Sequence, residues 1–328
     1  MSRLDEFRAY SLESIRIGDV DPGKRMLRYL CDRYELNLEQ RYWIAWLAAM
    51  TYCGASAFYV YNEFPDYENV DVGRMQRWWD ARGREQILCQ TDRRWVRSSS
   101  QFVPAFETYR AMLGGKAQHE FFMEITHDDY GEQLTPQAAS DAVMRAASQM
   151  YSFGQFALFI YTEFLHCVTP LELCPTDLDL DKAWSCRFGL YYAYDKDSWI
   201  TDEQSPILSH QRFETETAWD DLRALAKTWE PEPNVWELET LLCAYRKWHR
   251  GKRYVGFYLD REAGEITKMQ QKVTRGVCWD VLWQYRAESY GEDVRAEHHG
   301  HTRDKGLGVT KDWQEYRVKK TQEVLEEA

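Results

Sequence analysis

The 328-residue sequence carries none of the short motifs that announce common chemistries. It has no GxxxxGK[ST] loop and no GxGxxG following a strand-like run, which excludes nucleotide binding by either cradle. It has no HExxH and no GxSxG, so neither a helix-borne zinc pair nor a nucleophilic serine elbow is expected. Eight cysteines are scattered along the chain, but no CxxC pair occurs and no Cys/His spacing suits zinc. Several sit inside apolar helical patterns, as buried thiols do. The expectation is a reducing cytosol without disulfides. No uncharged apolar run reaches about 18 residues, so no membrane span is expected. The opening stretch, MSRLDEFRAYSLESIRIGD, lacks the apolar region of a signal peptide. Positive charge is also short, with 41 Lys and Arg against 53 Asp and Glu, a formal charge of −12. A protein that coats nucleic acid nonspecifically is usually basic. Any nucleic-acid contact here must come from local basic patches and weaken steeply with salt.

What the chain has in abundance is rings and helical periodicity. Hydrophobic residues make up 44% and aromatics 15%, with 14 Trp and 21 Tyr, so a sizeable ring-rich core is expected. Residues 38–61 are apolar nearly all round and too long for a strand; they read as one buried central helix, bent at Gly54. Helices are further expected over 24–35, Val72–Trp79, Phe102–Met112, Glu120–Thr126, 135–151, Gln155–Val168, Thr215–Trp229, 276–289 and Trp313–Leu325. Thr135 followed by Pro136 is an N-cap with proline at the first helical position. Phe188–Tyr194 is ambiguous between helix and strand, and 169–185, 197–212 and 291–308 read as loops. The fold class is mostly α, a multi-helix catalytic domain over 1–290 with minor extended segments. It forms either one body or two packed lobes of about 1–170 and 171–290. A polar loop and a C-terminal helix follow over 291–328.

The stretch Trp236–Arg261 organises the rest. Leu238, Leu241, Leu242 and Tyr245 form one apolar helical stripe. Glu239 and Arg246 lie off it, seven residues apart, so both can line one groove. Five cations follow in eight residues: Arg246, Lys247, Arg250, Lys252 and Arg253. They suit the negative end of a helix dipole and make a local anion site. Gly251 ends the helix. Tyr254–Tyr258 favours an extended form and delivers Asp260 and Arg261 beside the cations.

Other polar groups cluster elsewhere. Asn62, Glu63 and Asp66 fall where Pro65 ends the apolar core helix. Residues 82–97 hold five arginines, interrupted by Gln90, Thr91 and Asp92. Arg93, Arg94 and Arg97 with Trp95 combine phosphate-binding cations with a ring able to stack on a base. His298, His299 and His301 lack a second ligand set and read as a polar loop. Cys243 reads as a core thiol rather than a nucleophile.

Taken in order, several patches resemble the phage amino acid:DNA transferases. These belong to the wider alpha-glutamyl/putrescinyl thymine pyrophosphorylase assemblage, whose helical domain is related to DNA glycosylases. The patches are Tyr42-Trp43, Thr51-Tyr52, the run Asn62 to Asp66 with Glu68 to Asp71, Gln90-Thr91-Asp92, and Pro104-Ala105-Phe106 with Tyr109. In the C-terminal half they are Glu239, Leu242 to Lys247, and Gly251 to Arg261. The resemblance implies a DNA-glycosylase-like helical fold. It also implies displacement of pyrophosphate from 5-pyrophosphoryloxymethyl-uracil in DNA by a free amino acid such as glycine or serine, in the cytoplasm of a phage-infected bacterium.

The residues suit that chemistry. Departing pyrophosphate gathers negative charge, for which Arg246, Lys247, Lys252, Arg253 and Arg261 are the expected donors. An amine nucleophile must lose a proton, for which Asp260 is the first candidate base, Glu239 the second and Glu63 a third. Asn62, Asp66, Gln90 and Asp92 are candidate substrate contacts, and Asp66 with Asp92 leaves Mg²⁺ open as a cofactor. Two other readings remain: a glycosylase-like base-excision enzyme, and a noncatalytic protein that binds modified DNA.

Overall fold

A computed structural model describes residues 2–175, 178–200, 206–290 and 311–327, without the side chains of Asp92, 311–314 and 327. The architecture is all α. Among the described residues the one β feature is a bridge between His127 and Gln133. The chain divides into two compact units. The first comprises Met1–Pro22, Thr176–Gly264 and Ser289–Ala328; the second comprises Gly23–Pro175 and Glu265–Glu288.

In the second unit the apolar segment is two helices rather than one. Leu38–Thr51 starts at Asn37, which exchanges capping hydrogen bonds with Gln40. Every residue of that helix from Tyr42 to Thr51 is buried. It stops at Tyr52, whose left-handed φ of 47° closes the last turn onto Ala48. Gly54–Glu63 then begins afresh. The break therefore falls two residues before the expected bend. Rings fill the space between helices. Trp43 stacks on Trp46 at 5.1 Å, Trp46 on Tyr109 at 5.2 Å, and Trp79 on Phe102 at 5.0 Å. The buried ammonium of Lys24 pairs with Glu163 on helix Gln155–Val168. That helix and Phe102–Leu113, Gln118–Thr126 and Pro136–Ala147 lie where periodicity placed them.

In the first unit the ambiguous Phe188–Tyr194 lies in a helix, Trp184–Ala193. It packs against Val235–His249, which opens with a capping box between Asn234 and Glu237. The N-terminal stretch, for which no element was expected, forms helix Arg3–Arg16. Its Phe7 and Tyr10 meet Tyr245 at 5.1 and 5.7 Å. The C-terminal helix Lys311–Glu327 holds the chain at Val255, where Arg317 donates to the carbonyl at 2.6 Å and Thr321 accepts from the N–H at 3.1 Å. The histidines at 298–301 lie outside the described residues.

The extended run expected over Tyr254–Tyr258 is corrected. Helix Phe257–Lys272 begins inside it. Asp19 causes this: its carboxylate accepts from the N–H groups of Gly256, Tyr258 and Leu259 at 2.8, 2.7 and 3.0 Å. Gly256 turns the chain in with a φ of 98°. A cap 237 positions away outweighs the β preference of the rings.

Candidate functional site

The expected site residues fall in both units. Glu239, Arg246, Lys247, Lys252, Arg253, Asp260 and Arg261 belong to the first. Asn62, Glu63, Asp66, Gln90, Asp92, Arg93, Arg94, Trp95 and Arg97 belong to the second.

In the first unit, helix Val235–His249 runs out through Gly251, whose φ of 63° frees the chain to turn. Arg253 follows, and its guanidinium lies over two rings, 4.0 Å from the centre of Phe257 and 4.7 Å from that of Tyr258. The group is half-buried, and its Nη1 is screened from solvent with no acceptor among the described residues. An arginine held against two rings with an N–H unused is prepared for an external anion.

The Tyr258 phenol feels both this cation and several acidic groups. Burial pushes its phenol well above the ordinary value; Arg253 opposes that, and Asp21, Cys243 and Glu239 add to it. Arg253 and Glu239, fourteen residues apart in sequence, thus both act electrostatically on one phenol. Thr240 donates to the buried Asp21 carboxylate, and the Cys243 thiol donates to Glu239 at 3.0 Å. Burial, then Glu239, drive the Cys243 thiol well above its usual range, so no thiolate is at hand.

Arg246 is placed differently from Arg253. It is buried, stacked over Trp184 at 4.6 Å, and donates to Ser185 at 3.0 Å. Arg261 is buried as well, whereas Arg250 and Lys252 are exposed and Lys247 is half-buried. Asp260 is buried and accepts from the Tyr254 hydroxyl.

In the second unit Glu63 ends helix Gly54–Glu63 and pairs with Arg82 at 2.7 Å. Asn62 donates to its own helix at Phe58, 2.7 Å away. Asp66 is exposed and accepts from Asn69 at 2.5 Å. Gln90 is buried, and its N–H reaches Thr51 at 2.9 Å. Arg93 is buried too: it donates to the Ser152 carbonyl at 2.6 Å and lies 5.1 Å from the centre of Phe153. Arg94, Trp95 and Arg97 are exposed. Among the described residues no group of three or more His, Cys, Asp and Glu is placed to hold a metal ion.

Sequence reasoning gave no role at the site to Asp19, Asp21, Thr240 or Tyr258. A signal existed for the aspartates: two acids two residues apart inside Gly18-Asp19-Val20-Asp21-Pro22-Gly23, where turn-formers leave carboxylates little else to do.

Comparison with known proteins gives two matches. A family model described as amino acid:DNA transferase matches residues 15–254. Asp19, Asp21, Glu239 and Arg253 fall inside that span; Tyr258 and Asp260 lie just beyond it. The chain is also similar to a protein named serinyltransferase from Salmonella phage ViI, with 24% identity over 279 residues. The alignment takes in 76% of this chain but 64% of the relative, so the chain spans less than two thirds of that relative's length. No solved structure matches. Among the described residues no helix is long and apolar enough to cross a membrane.

Proposed function

Since this chain belongs to the amino acid:DNA transferase family, we propose that it joins a free amino acid to a thymine-like base in phage DNA and releases pyrophosphate. The acceptor in this reading is 5-pyrophosphoryloxymethyl-uracil. One proton leaves the amino acid's ammonium for a carboxylate. The freed nitrogen attacks the exocyclic methylene. The bond from that carbon to the pyrophosphate oxygen breaks, and its electron pair leaves with the oxygen.

The observation that carries this reading is Arg253, a ring-clamped guanidinium with a screened, unused N–H. Charge that develops on a leaving pyrophosphate is stabilised most by donors already in place. Lys252, exposed beside it, and Lys247 add mobile positive charge. Arg246 and Arg261, both buried, support the wall of the site.

For the base we place Glu239 ahead of Asp260. Glu239 is half-buried and acts on the same Tyr258 phenol as Arg253, whereas Asp260 is buried and engaged by Tyr254. Glu63, paired with Arg82, comes third. Asn62, Asp66, Gln90 and Asp92 remain candidate contacts to substrate in the second unit. The exposed Arg94, Arg97 and Trp95 are the contacts to DNA, and Arg93 braces them. The setting is the phage-infected bacterial cell.

The test is incubation of the protein with DNA bearing the pyrophosphorylated base and each amino acid in turn, followed by mass analysis of the nucleosides. Serine comes first, because the relative is named for it. A mass gain on the thymidine-like nucleoside with released pyrophosphate is the expected result. Abasic sites, or unaltered DNA, would sink the proposal.

A further inference from the structure

Arg93 was expected to touch phosphate, yet it is spent inside the protein. Its guanidinium donates to Met50 and Ser152 and lies over Phe153. That contact fastens the segment carrying Trp95 to the segment carrying Tyr151. Both rings are half in solvent, Trp95 at 47% and Tyr151 at 48%. Each is fixed at its backbone. Tyr151 donates its N–H to Thr108 at 2.8 Å, and the Trp95 carbonyl accepts from the hydroxyls of Ser98 and Ser99.

One exposed ring on a protein surface needs no explanation. Two on segments clamped by one buried arginine do, and the charge around them says which partner fits. Arg84, Arg94 and Arg97 are exposed, and Arg84 donates to the Ser98 carbonyl at 3.1 Å. None of the three forms an ion pair among the described side chains. Their neighbours Arg77 and Arg82 do, with Asp71 at 3.9 Å and Glu63 at 2.7 Å. In a chain of formal charge −12, three arginines left without acids around the segment that carries Trp95, itself tied through Arg93 to the segment that carries Tyr151, complement a polyanion that offers flat faces.

We propose that Trp95 and Tyr151 form a stacking platform for an unpaired base of the DNA substrate, with Arg84, Arg94 and Arg97 on the flanking phosphates. The ligand class rests on the function proposed above, since DNA is the acceptor there. The new element is the unpaired base: a paired base hides its faces in the stack, and rings reward a base that has left it.

The experiment measures binding of the full chain to three labelled DNAs of one sequence: single strand, perfect duplex, and duplex with one unpaired thymine. Trp95→Ala and Tyr151→Ala are each expected to weaken binding to the single strand and the bulged duplex about tenfold. The perfect duplex should lose less than about twofold, with no change in melting temperature. Trp95→Phe should restore most of the loss. Arg94→Gln with Arg97→Gln should weaken all three and flatten the salt dependence by about two units of log–log slope. Ring variants that bind all three DNAs like wild type, or lose equally on all three, overturn the platform. A chain that discriminates through these rings but transfers no amino acid overturns the proposed function and leaves the platform standing.

Discussion

Gly189 lies directly against the carbonyl of Leu242. A Cβ at position 189 would sit 2.1 Å from that oxygen and 2.6 Å from its carbon. Backbone meets backbone here, so no flexible side chain can give way. Helices Trp184–Ala193 and Val235–His249 pack at that point, and the second leads into the cationic segment. Gly189→Ala should destabilise the protein by about 2 kcal/mol, with overpacking winning over alanine's better helix propensity. Denaturant unfolding measures it; a variant as stable as wild type refutes the close approach.

Arg253→Ala should lower the transfer rate by about a hundredfold or more, the scale of losing one preorganised donor to a developing anion. Stability should fall by only about 1 kcal/mol, because what is lost in the resting protein is ring stacking. Arg253→Lys should not rescue, since an ammonium lacks the planar fork that lies on Phe257 and Tyr258. Lys252→Ala, at an exposed position, should leave stability within about 0.5 kcal/mol and still slow turnover. Unchanged rates in both variants remove the cationic segment from the reaction.

Much of this was readable in the chain, and what was not has particular causes. Gln155–Val168 appears with the expected bounds because its apolar periodicity is unbroken. The five cations of 246–253 were legible as a cluster, but their division was not. Arg246 is buried because Trp184, Ser185 and Phe188 lie beside it, and those partners are some sixty residues away. The helix at Phe257 was hidden for the same reason, since its cap is Asp19. Helix Arg3–Arg16 was missed because charge dilutes its apolar face of Phe7 and Tyr10. Local pattern specified the elements; contacts remote in sequence decided which charges face water.

Glu239 and Asp260 can be told apart by how each loss is felt. Glu239→Gln should reduce the rate by about 10² to 10⁴ and remove the acidic limb of the pH–rate profile, as loss of a general base does. Asp260→Asn should act on stability, about 1–3 kcal/mol, because Tyr254 donates to that buried carboxylate. Rates for both are compared well below each variant's melting temperature. A pH profile altered by Asp260→Asn and untouched by Glu239→Gln restores Asp260 as the base.

Asp19 adds a pH dependence of stability. Burial raises its carboxyl to about 7, against the pull of the N–H groups of Leu259, Gly256 and Tyr258 and of Arg317. Between the unfolded carboxylate value near 4 and that of the folded chain, the folded state holds a proton the unfolded state has released. The sign follows: this residue's contribution is full below about pH 4 and declines as pH rises to about 7, by up to about 4 kcal/mol. Asp19→Asn cannot titrate, and its amide still offers one oxygen to the start of helix Phe257–Lys272. It should therefore flatten the stability profile between pH 4 and 7 relative to wild type. Unfolding free energies of the two proteins at half-unit pH steps measure the difference, and parallel profiles would show that the helix cap carries its charge throughout.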